Sequence, residues 1–374
     1  MKVLMLDQWL PGQPYSQSLC RQLARHADLT LCAPRAYHPE GEPFRGLCVL
    51  ENRVREKKLA GLLSYARGIA RVCREILFGG YDVLHVQAFK KASLEIPLFI
   101  SLCRLRRVRL VATAHNILPH ESGGEKEARL LRRWYGACDA LIVHNQASRQ
   151  VLEAFAPEAA PRIHVLPHGT FDTYGSAPAP VPHERTVFLL FGKVRRYKGI
   201  EDLLRACALL PEEARSRMEV VIAGSQRKGE DPTDYEAKVQ ELGLGSFVRL
   251  DLRFIADGEV PELLGRADCC LFPYREIYGS GALLLAYGFD KPVIASALPT
   301  FVEETDNGAT GLLYPPGSPE GLRDALLRFM ALSPREKARM QEAIRTLTRT
   351  KYTWETSARE LFSIYESLSA PASP

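Results

Sequence analysis

Long apolar runs are missing from this sequence. No stretch reaches the roughly 18 apolar residues that a membrane-spanning helix needs, and the best candidate, residues 96–103, is far shorter. The first residues, MKVLMLDQWLPG, read as a short strand that runs into Pro and Gly, without the apolar core of a signal peptide. We therefore expect a cytoplasmic protein.

Paired cysteine motifs are missing as well. The chain has nine cysteines, an odd number, and no two of them stand at C-x-x-C spacing. Cys269 and Cys270 are neighbours in an apolar strand pattern. This usage is typical of small core residues in a reducing compartment, and it argues against disulfides or a zinc site.

A dinucleotide fingerprint is the third absence. The loop after the first predicted strand is QWLPGQPY, residues 8–15, which holds one glycine and no G-x-G-x-x-G motif. The sequence therefore argues against a nicotinamide-dependent dehydrogenase.

Positive charge is present but unevenly placed. Residues 1–178 hold 24 Lys+Arg and 16 Asp+Glu, a balance of +8, whereas the remainder holds 25 and 28, a balance of −3. The excess lies in residues 45–109, with 14 basic and 5 acidic residues. Two interpretations stay open, a solvated arginine-rich surface and a face that meets anionic lipid headgroups. Nucleic acid comes third, because no aromatic residues are interleaved as stacking platforms.

Short β-branched and apolar runs alternate with helical patterns along the whole chain. This alternation predicts βαβ units and parallel sheets, and so an α/β protein. The series is interrupted once, by FDTYGSAPAPVPHERT, residues 171–186, which is rich in Pro, Ala and Gly. We predict two doubly wound, Rossmann-like domains that face each other across a cleft, with ligands beyond the carboxyl ends of the strands.

The predicted boundaries follow from that interruption. An N-terminal domain covers residues 1–170, a linker covers 171–186, and a C-terminal domain covers 187–350. Residues 351–374 carry a last helical pattern.

A basic loop, FGKVRRYKG, occupies residues 191–199. A predicted strand ends at Phe191, Gly192 makes a turn, and four cations precede a helix that starts near Ile200; they are Lys193, Arg195, Arg196 and Lys198. Cations beside the free N–H groups of a helix start are typical of an anion site. The alternative is a solvated basic loop.

A glycine turn opens the helix at residues 282–288. Gly279, Ser280 and Gly281 allow close backbone approach, and the helix start carries partial positive charge, which suits a diphosphate. Glu276 would be repelled by phosphates, so we expect it to accept hydrogen bonds from sugar hydroxyls. The alternative is an exposed loop acid.

His115 follows the strand predicted to end at Ala114. A histidine at such a strand end is either a packed hydrogen-bonding residue or part of the site, and its position favours the second interpretation.

Three segments together resemble the GT-B glycosyltransferases of family 4, and the resemblance covers nearly the whole chain. The segments are FGKVRRYKGIEDLLRA, ADCCLFPYREIYGSGALLLAYGFDKPVIAS and NGATGLLYPPGSPEGLRDAL. The closing YTWETSARELFSIYESL is similar to the family's last helix, which crosses back onto the N-terminal domain.

The resemblance implies a hexosyltransferase that moves a sugar from a nucleoside diphosphate to an acceptor, with retention of configuration and without a metal. The donor is expected on the C-terminal domain, UDP being favoured over GDP. The acceptor is expected to be a glycan, lipid-linked, in bacterial polysaccharide or envelope biosynthesis, at the inner face of the plasma membrane.

The resemblance also assigns roles to residues. Lys193 and Lys198 match the cations of the phosphate loop that starts at Gly192, and Ser280, Gly281 and Ala282 match the backbone cradle of the β-phosphate. His115 matches the histidine near the anomeric carbon. Gly12 matches, weakly, the glycine-rich first loop.

One position departs from the family pattern. Two glutamates with seven residues between them are usual; Glu276 stands for the first, displaced by one residue, and Leu285 occupies the second. Loss of a charged hydrogen bond costs on the order of 1.5–3 kcal/mol, which weakens ribose recognition without removing a reacting group.

Alternatives remain at this stage. An inverting enzyme would need a base, with His115, Glu121 or Asp7 as candidates. A phosphorylase of this fold would carry pyridoxal phosphate on a lysine, and a nucleotide-sugar epimerase is a further reaction to weigh. Leu285 also motivates a non-catalytic nucleotide-sugar binding protein.

Overall fold

The computed structural model describes residues 1–10, 14–50, 58–118, 124–171, 174–175, 183–227 and 229–369, with side chains of the 58–78 helix from residue 61 onward. The chain divides into two compact units. The N-terminal unit comprises Met1–Gly169 together with Thr353–Pro374, and the C-terminal unit comprises Thr170–Tyr352. Most of the predicted linker, and the predicted site residues Gly12 and Glu121, lie outside the described residues.

The N-terminal unit alternates strands and helices. Its strands are β1 (Lys2–Leu6), β2 (Asp28–Pro34), β3 (Arg45–Leu50), β4 (Val83–Val86), β5 (Arg109–Thr113), β6 (Ala140–Val143) and β7 (Ile163–Val165). Its first five helices are α1 (Tyr15–Leu23), α2 (Lys58–Phe78), α3 (Ala92–Arg106), α4 (Glu125–Ala137) and α5 (Gln146–Phe155).

These strands form one parallel sheet in the order β3-β2-β1-β4-β5-β6-β7. The strand sequences are continuous apolar runs, such as KVLML and ALIV, because helices cover both faces of such a sheet. Strand order reverses between β1 and β4, which pair with Val3 opposite Val83. Loops at the carboxyl ends of these strands therefore meet at one edge.

The C-terminal unit repeats the plan. Its strands are β8 (Thr186–Phe191), β9 (Met218–Ala223), β10 (Val248–Asp251), β11 (Cys269–Phe272), β12 (Val293–Ser296) and β13 (Gly311–Tyr314). Its helices are α6 (Ile200–Ala208), α7 (Glu212–Ser216), α8 (Tyr235–Glu241), α9 (Val260–Arg266), α10 (Gly281–Gly288), α11 (Pro299–Glu304), α12 (Pro319–Ala331) and α13 (Pro334–Thr350). The final helix, α14 (Trp354–Ser369), belongs to the N-terminal unit, where it packs against α1.

The second sheet is also parallel, in the order β10-β9-β8-β11-β12-β13. Its order reverses between β8 and β11, the two strands that lead into the predicted phosphate loop and the Glu276 loop. The α/β prediction with two doubly wound units is confirmed. Cys269 and Cys270 lie buried in β11, and all nine cysteines are free thiols.

Two features of the sequence prediction need correction. Strand β13 was not predicted, because GLLY is short and sits among turn residues. The pattern SQSLCRQLARH predicts a helix over residues 16–26, whereas α1 spans Tyr15–Leu23 and so ends three residues earlier. Across the described ranges, no helix is both long and apolar enough to cross a membrane.

Candidate active site

The phosphate loop follows β8 and is shaped by two glycines. Gly192 has φ +109°, and a Cβ there would lie 2.9 Å from the Nζ of Lys198. Gly199 has φ +66°, and a Cβ there would lie 1.8 Å from the carbonyl oxygen of Pro273. Only glycine adopts this backbone without strain. The loop is thereby held directly against the chain that leaves β11.

Lys198 is the buried cation of this loop, with 5% of its surface exposed. Its Nζ donates to the carbonyl oxygen of Phe191 at 3.4 Å and lies 5.3 Å from the ring centroid of Tyr274. Burial, reinforced by the positive charges of Arg195 and Lys193, lowers the pKa of Lys198 to about 7. A buried cation with few compensating anions is the arrangement expected of an anion site that awaits its ligand.

The other cations of the loop are more accessible. Lys193 is exposed, and Arg195 forms an ion pair with Glu230. Both lie close enough to Lys198 to oppose its protonation. The basic loop is therefore built as one buried and several exposed positive charges.

The loop after β11 also lies beside Lys198 of the phosphate loop. Tyr274 is 2% exposed, and its ring lies beside Lys198. Burial raises the pKa of its hydroxyl well above 10, and the side chain of Ser280 offsets part of that rise. The hydroxyl of Ser296 donates to the carbonyl oxygen of Tyr274 at 2.6 Å, which anchors the loop to the end of β12. Tyr274 thus brings the phosphate loop and the predicted diphosphate cradle together.

Ser280 begins α10 as its N-cap. Its Oγ accepts a hydrogen bond from the N–H of Leu283 at 3.2 Å. The amides of Gly281 and Ala282 are not used by this cap. The helix start therefore carries partial positive charge at these amides.

Glu276 is exposed, and it stands between Tyr274 and Tyr278 in the sequence. Its charge raises the pKa of Tyr197 and of Tyr278, after the larger effect of burial in each case. The preceding residue, Arg275, is fixed by two hydrogen bonds to Asp202 at 2.8 and 2.9 Å. The carboxylate thus extends from an anchored loop, where a polar ligand can reach it.

Leu285, at the position of the second family glutamate, is 4% exposed and belongs to the apolar core around α10. The absence of charge in α10 is therefore a packing property, because its leucines and Tyr287 are buried.

In the N-terminal unit, His115 lies among other strand-end residues. Gln87, His115, His144 and His168 follow β4, β5, β6 and β7 in turn. The Nε2 of His115 lies 2.9 Å from the Oε1 of Gln87, and its Nδ1 lies 3.4 Å from the Nε2 of His144. Burial lowers the pKa of His115 well below 6.5, so the ring is neutral at physiological pH. With both ring nitrogens engaged by protein atoms, His115 is a held ring and a poor candidate for a general base.

Asp7, at the carboxyl end of β1, is also buried, and burial raises the pKa of its carboxyl group. Its Oδ1 accepts a hydrogen bond from the N–H of Trp9 at 2.7 Å. The side chain supports the loop after β1.

Sequence reasoning missed Tyr274, Gln87 and His144. Gln87 and His144 are the last residues of the strand patterns 83–87 and 140–144, and Tyr274 stands two residues after the pattern 269–272. Their place at the carboxyl ends of strands was the available signal. No composition or spacing rule distinguishes Tyr274, whose importance comes from its contacts in the folded chain.

Two family models match the chain. Residues 13–171 match Glycosyltransferase Family 4, and residues 176–346 match Glycosyl transferases group 1. Together they cover both units.

Curated relatives agree. The chain is 28% identical to a D-inositol 3-phosphate glycosyltransferase of Corynebacterium jeikeium, over 95% of this chain and 91% of the relative. It is 27% identical to a GDP-mannose:glycolipid 4-beta-D-mannosyltransferase of Xanthomonas campestris pv. campestris, over 59% and 63%.

A solved structure shares the fold. Anabaena Alr3699/HepE in complex with UDP superposes with a TM-score of 0.76 at 19% identity, over 98% of this chain and 100% of that one. With matching family models across both units, the chain belongs to the family 4-like GT-B glycosyltransferases and is a nucleotide-sugar-dependent enzyme.

Proposed function

We propose that the protein transfers a hexose from a nucleoside diphosphate sugar to a glycan acceptor in bacterial polysaccharide or envelope biosynthesis, with retention of configuration. The observation that carries the donor site is the contact of Lys198 and the Ser280 cap with the same side chain, Tyr274. In this proposal Lys198 and the start of α10, both next to Tyr274, form the pocket for the diphosphate.

In this proposal, charge that develops on the departing diphosphate is stabilised by Lys198, Lys193 and the start of α10 at Ser280, Gly281 and Ala282. Gly192 lets the loop backbone pass close to the phosphates. The basic groups remove the need for a metal ion. Among the described residues, no cluster of three or more His, Cys, Asp or Glu side chains has the arrangement of a metal site.

Glu276 is proposed to accept hydrogen bonds from the sugar hydroxyls, and His115 to orient the sugar or the reacting centre. Because both ring nitrogens of His115 contact protein atoms, the retaining reaction, in which the acceptor proton passes to the leaving phosphate, is favoured over an inverting one that needs a base.

UDP is the favoured nucleotide. The support is that solved structures of the similar fold were determined with UDP and with UDP-glucose, although GDP appears in the name of a mannosyltransferase relative. An experiment with both nucleotides therefore decides between UDP and GDP.

A lipid-linked acceptor at an anionic membrane is proposed from the surface of α2 and α3. Half-exposed or more exposed apolar side chains share this surface with exposed arginines; they are Leu62, Leu63, Phe78, Leu94 and Leu105, with Arg67, Arg71, Arg74, Arg104 and Arg106. The two acidic residues of these helices add no free negative charge to this surface, because Glu75 lies beside Arg71 and Arg45 and Glu95 is fully buried. Apolar residues among cations are typical of binding at a membrane interface.

The test of the proposed reaction is a nucleotide-release assay with UDP-hexoses and GDP-hexoses, with and without a lipid-linked glycan fraction. We expect release that depends on the acceptor, and a product whose new anomeric proton has the configuration of the donor. Tight donor binding without turnover on any acceptor would instead indicate a non-catalytic binding protein.

A further inference from the structure

A chain of side-chain hydrogen bonds runs through the carboxyl edge of the N-terminal sheet. It starts at the carbonyl of Leu166, passes through His144, His115, Gln87 and His85, and ends at the hydroxyl of Tyr365 on α14. We infer that His144 and Gln87 are positioning residues that hold His115 as its Nδ1–H tautomer, with the lone pair of Nε2 directed at the Gln87 side chain.

The fixed point of this chain is a backbone carbonyl. The Nδ1 of His144 lies 2.9 Å from the oxygen of Leu166, which can only accept, so this nitrogen carries the proton. In a neutral ring the Nε2 of His144 then has the lone pair. That nitrogen faces the Nδ1 of His115 at 3.4 Å, so His115 must donate there.

Both rings are neutral because they are buried away from compensating anions. Burial lowers the pKa of His144 and His115, and at His115 the positive charge of a protonated neighbouring histidine would lower it further. The rings of Tyr15 and His168 pack against the pair. The neutral pair has one consistent proton arrangement.

The rest of the chain can satisfy this arrangement. In the structure the Oε1 of Gln87 lies 2.9 Å from the Nε2 of His115, so with Nδ1–H on His115 the amide must exchange its oxygen and nitrogen positions. The NH₂ group then donates to the Nε2 of His115, and the oxygen accepts from the Nε2–H of His85, a nitrogen that also lies 2.8 Å from the Oγ1 of Thr113. His85 then accepts from the hydroxyl of Tyr365 at its Nδ1, at 2.5 Å. This arrangement gives up the weak contact of the Gln87 amide nitrogen with the Sδ of Met5 at 3.1 Å, and it ties α14 to the chain of hydrogen bonds through Tyr365.

The reversed arrangement fails at one contact. If His115 carried its proton on Nε2, its Nδ1 lone pair would face the lone pair of His144 across 3.4 Å. The chemical consequence of the first arrangement rests on the proposed function. Nε2 of His115 is then an acceptor that the Gln87 amide holds in place, and it is not a proton donor to the leaving group.

The test is the ring ¹⁵N NMR spectrum of the full-length protein labelled at its nine histidines, with His115 assigned by its loss in His115→Phe. We expect a neutral His115 with a protonated Nδ1 in the wild type. In His144→Phe, which keeps a ring but removes the acceptor, His115 should change to the Nε2–H tautomer. His164→Phe, on β7 outside the chain, is the matched control and should leave the tautomer unchanged.

Two results would overturn the inference. One is a wild-type His115 that is protonated on Nε2 or on both nitrogens. This result needs only the wild-type protein, so it can be obtained even if His144→Phe fails to fold. The other is a His144→Phe protein whose His115 keeps its Nδ1 proton.

Kinetics separate the two proposals. If the transferase proposal holds, His144→Phe should lower kcat at least tenfold with little change in nucleotide affinity, and His144→Gln, whose amide oxygen can accept, should restore part of it. If the protein glycosylates no acceptor, the NMR result still tests the tautomer inference, independently of the transferase proposal.

Discussion

At the scale of single residues, Gly199 shows how tightly the two loops of the C-terminal unit are joined. Its φ of +66° ends the turn that carries Lys198, and its missing side chain lets the backbone of Pro273 approach. Gly243 has nearly the same conformation, φ +64°, but nothing lies within 4 Å of where its Cβ would be. Alanine substitutions at the two glycines therefore separate the cost of backbone strain from the cost of losing the close approach to Pro273.

We predict that Gly243→Ala lowers the free energy of unfolding by about 1 kcal/mol, the usual cost of a left-handed alanine. Gly199→Ala should cost clearly more, and it should also weaken nucleoside diphosphate binding because the loops must move apart. Denaturant unfolding and calorimetry would measure both. Equal losses in the two variants would show that the approach to Pro273 is unimportant.

Lys198 gives a pH dependence whose sign can be worked out. Its pKa of about 7 in the folded protein is below the ordinary 10.5 of an unfolded chain. Between these values the unfolded chain holds a proton that the folded chain lacks, so this residue's contribution to stability improves as pH rises from 7. A diphosphate, however, binds the protonated form.

We therefore predict that diphosphate affinity falls as pH rises above about 7, by up to about tenfold per pH unit. The ligand itself adds little, because a terminal phosphate with a pKa near 6 is already ionised there. Calorimetry at pH 6.5, 7.5 and 8.5 should also detect proton uptake on binding. A pH-independent affinity would indicate that Lys198 is charged before the ligand arrives.

At the scale of elements, α10 explains its own lack of charge. Its leucines fill the core beneath β11 and β12, and only its first residues and the Ser280 cap face the candidate site. A glutamate at position 285 would carry its charge into this core.

We predict that Leu285→Glu, which restores the usual family residue, lowers the free energy of unfolding by roughly 2–4 kcal/mol without tightening donor binding, because an unpaired carboxylate is buried. Leu285→Met, of similar volume, is the control and should cost less than about 1.5 kcal/mol. A stable Leu285→Glu protein with higher affinity would mean that this side chain reaches the ribose.

The elements that the sequence predicted are those with strong local patterns. The wholly apolar run CCLF predicts a strand over residues 269–272, which is the span of β11, and Gly-Ser-Gly predicts the start of α10 to within one residue. Strand β13 was missed, since only pairing with β12 makes GLLY a strand. Local patterns pointed to Lys198 and His115, and the resemblance gave each a role, but the roles of Tyr274 and His144 depend on long-range contacts that no local pattern encodes.

At the scale of the whole molecule, the basic excess of the first half becomes a defined surface on α2 and α3. In the proposed membrane contact, the arginines there would attract anionic headgroups over about a Debye length, and the exposed leucines would add apolar burial. The expected binding is reversible and weakened by salt.

We predict co-sedimentation with phosphatidylcholine vesicles only when they contain phosphatidylglycerol, with the double substitution Leu62→Ser and Leu63→Ser lowering partitioning at least tenfold. Leu209→Ser, which alters a leucine 44% exposed in the other unit, is the matched control. If both proteins bind equally, the α2 and α3 surface is not the contact.

The central claim is that the C-terminal unit binds a nucleoside diphosphate through Lys198. Titration calorimetry with UDP, GDP, ADP and inorganic phosphate on the wild type, Lys198→Met and Lys291→Met tests it most directly. Lys291 is a partly buried lysine whose Nζ donates to the carbonyl of Gly265, and it serves as the control. We expect one nucleoside diphosphate to bind the wild type and the control alike, and Lys198→Met to bind ten- to about a hundredfold more weakly. The account is contradicted if none of these ligands binds, or if Lys198→Met binds as well as the wild type.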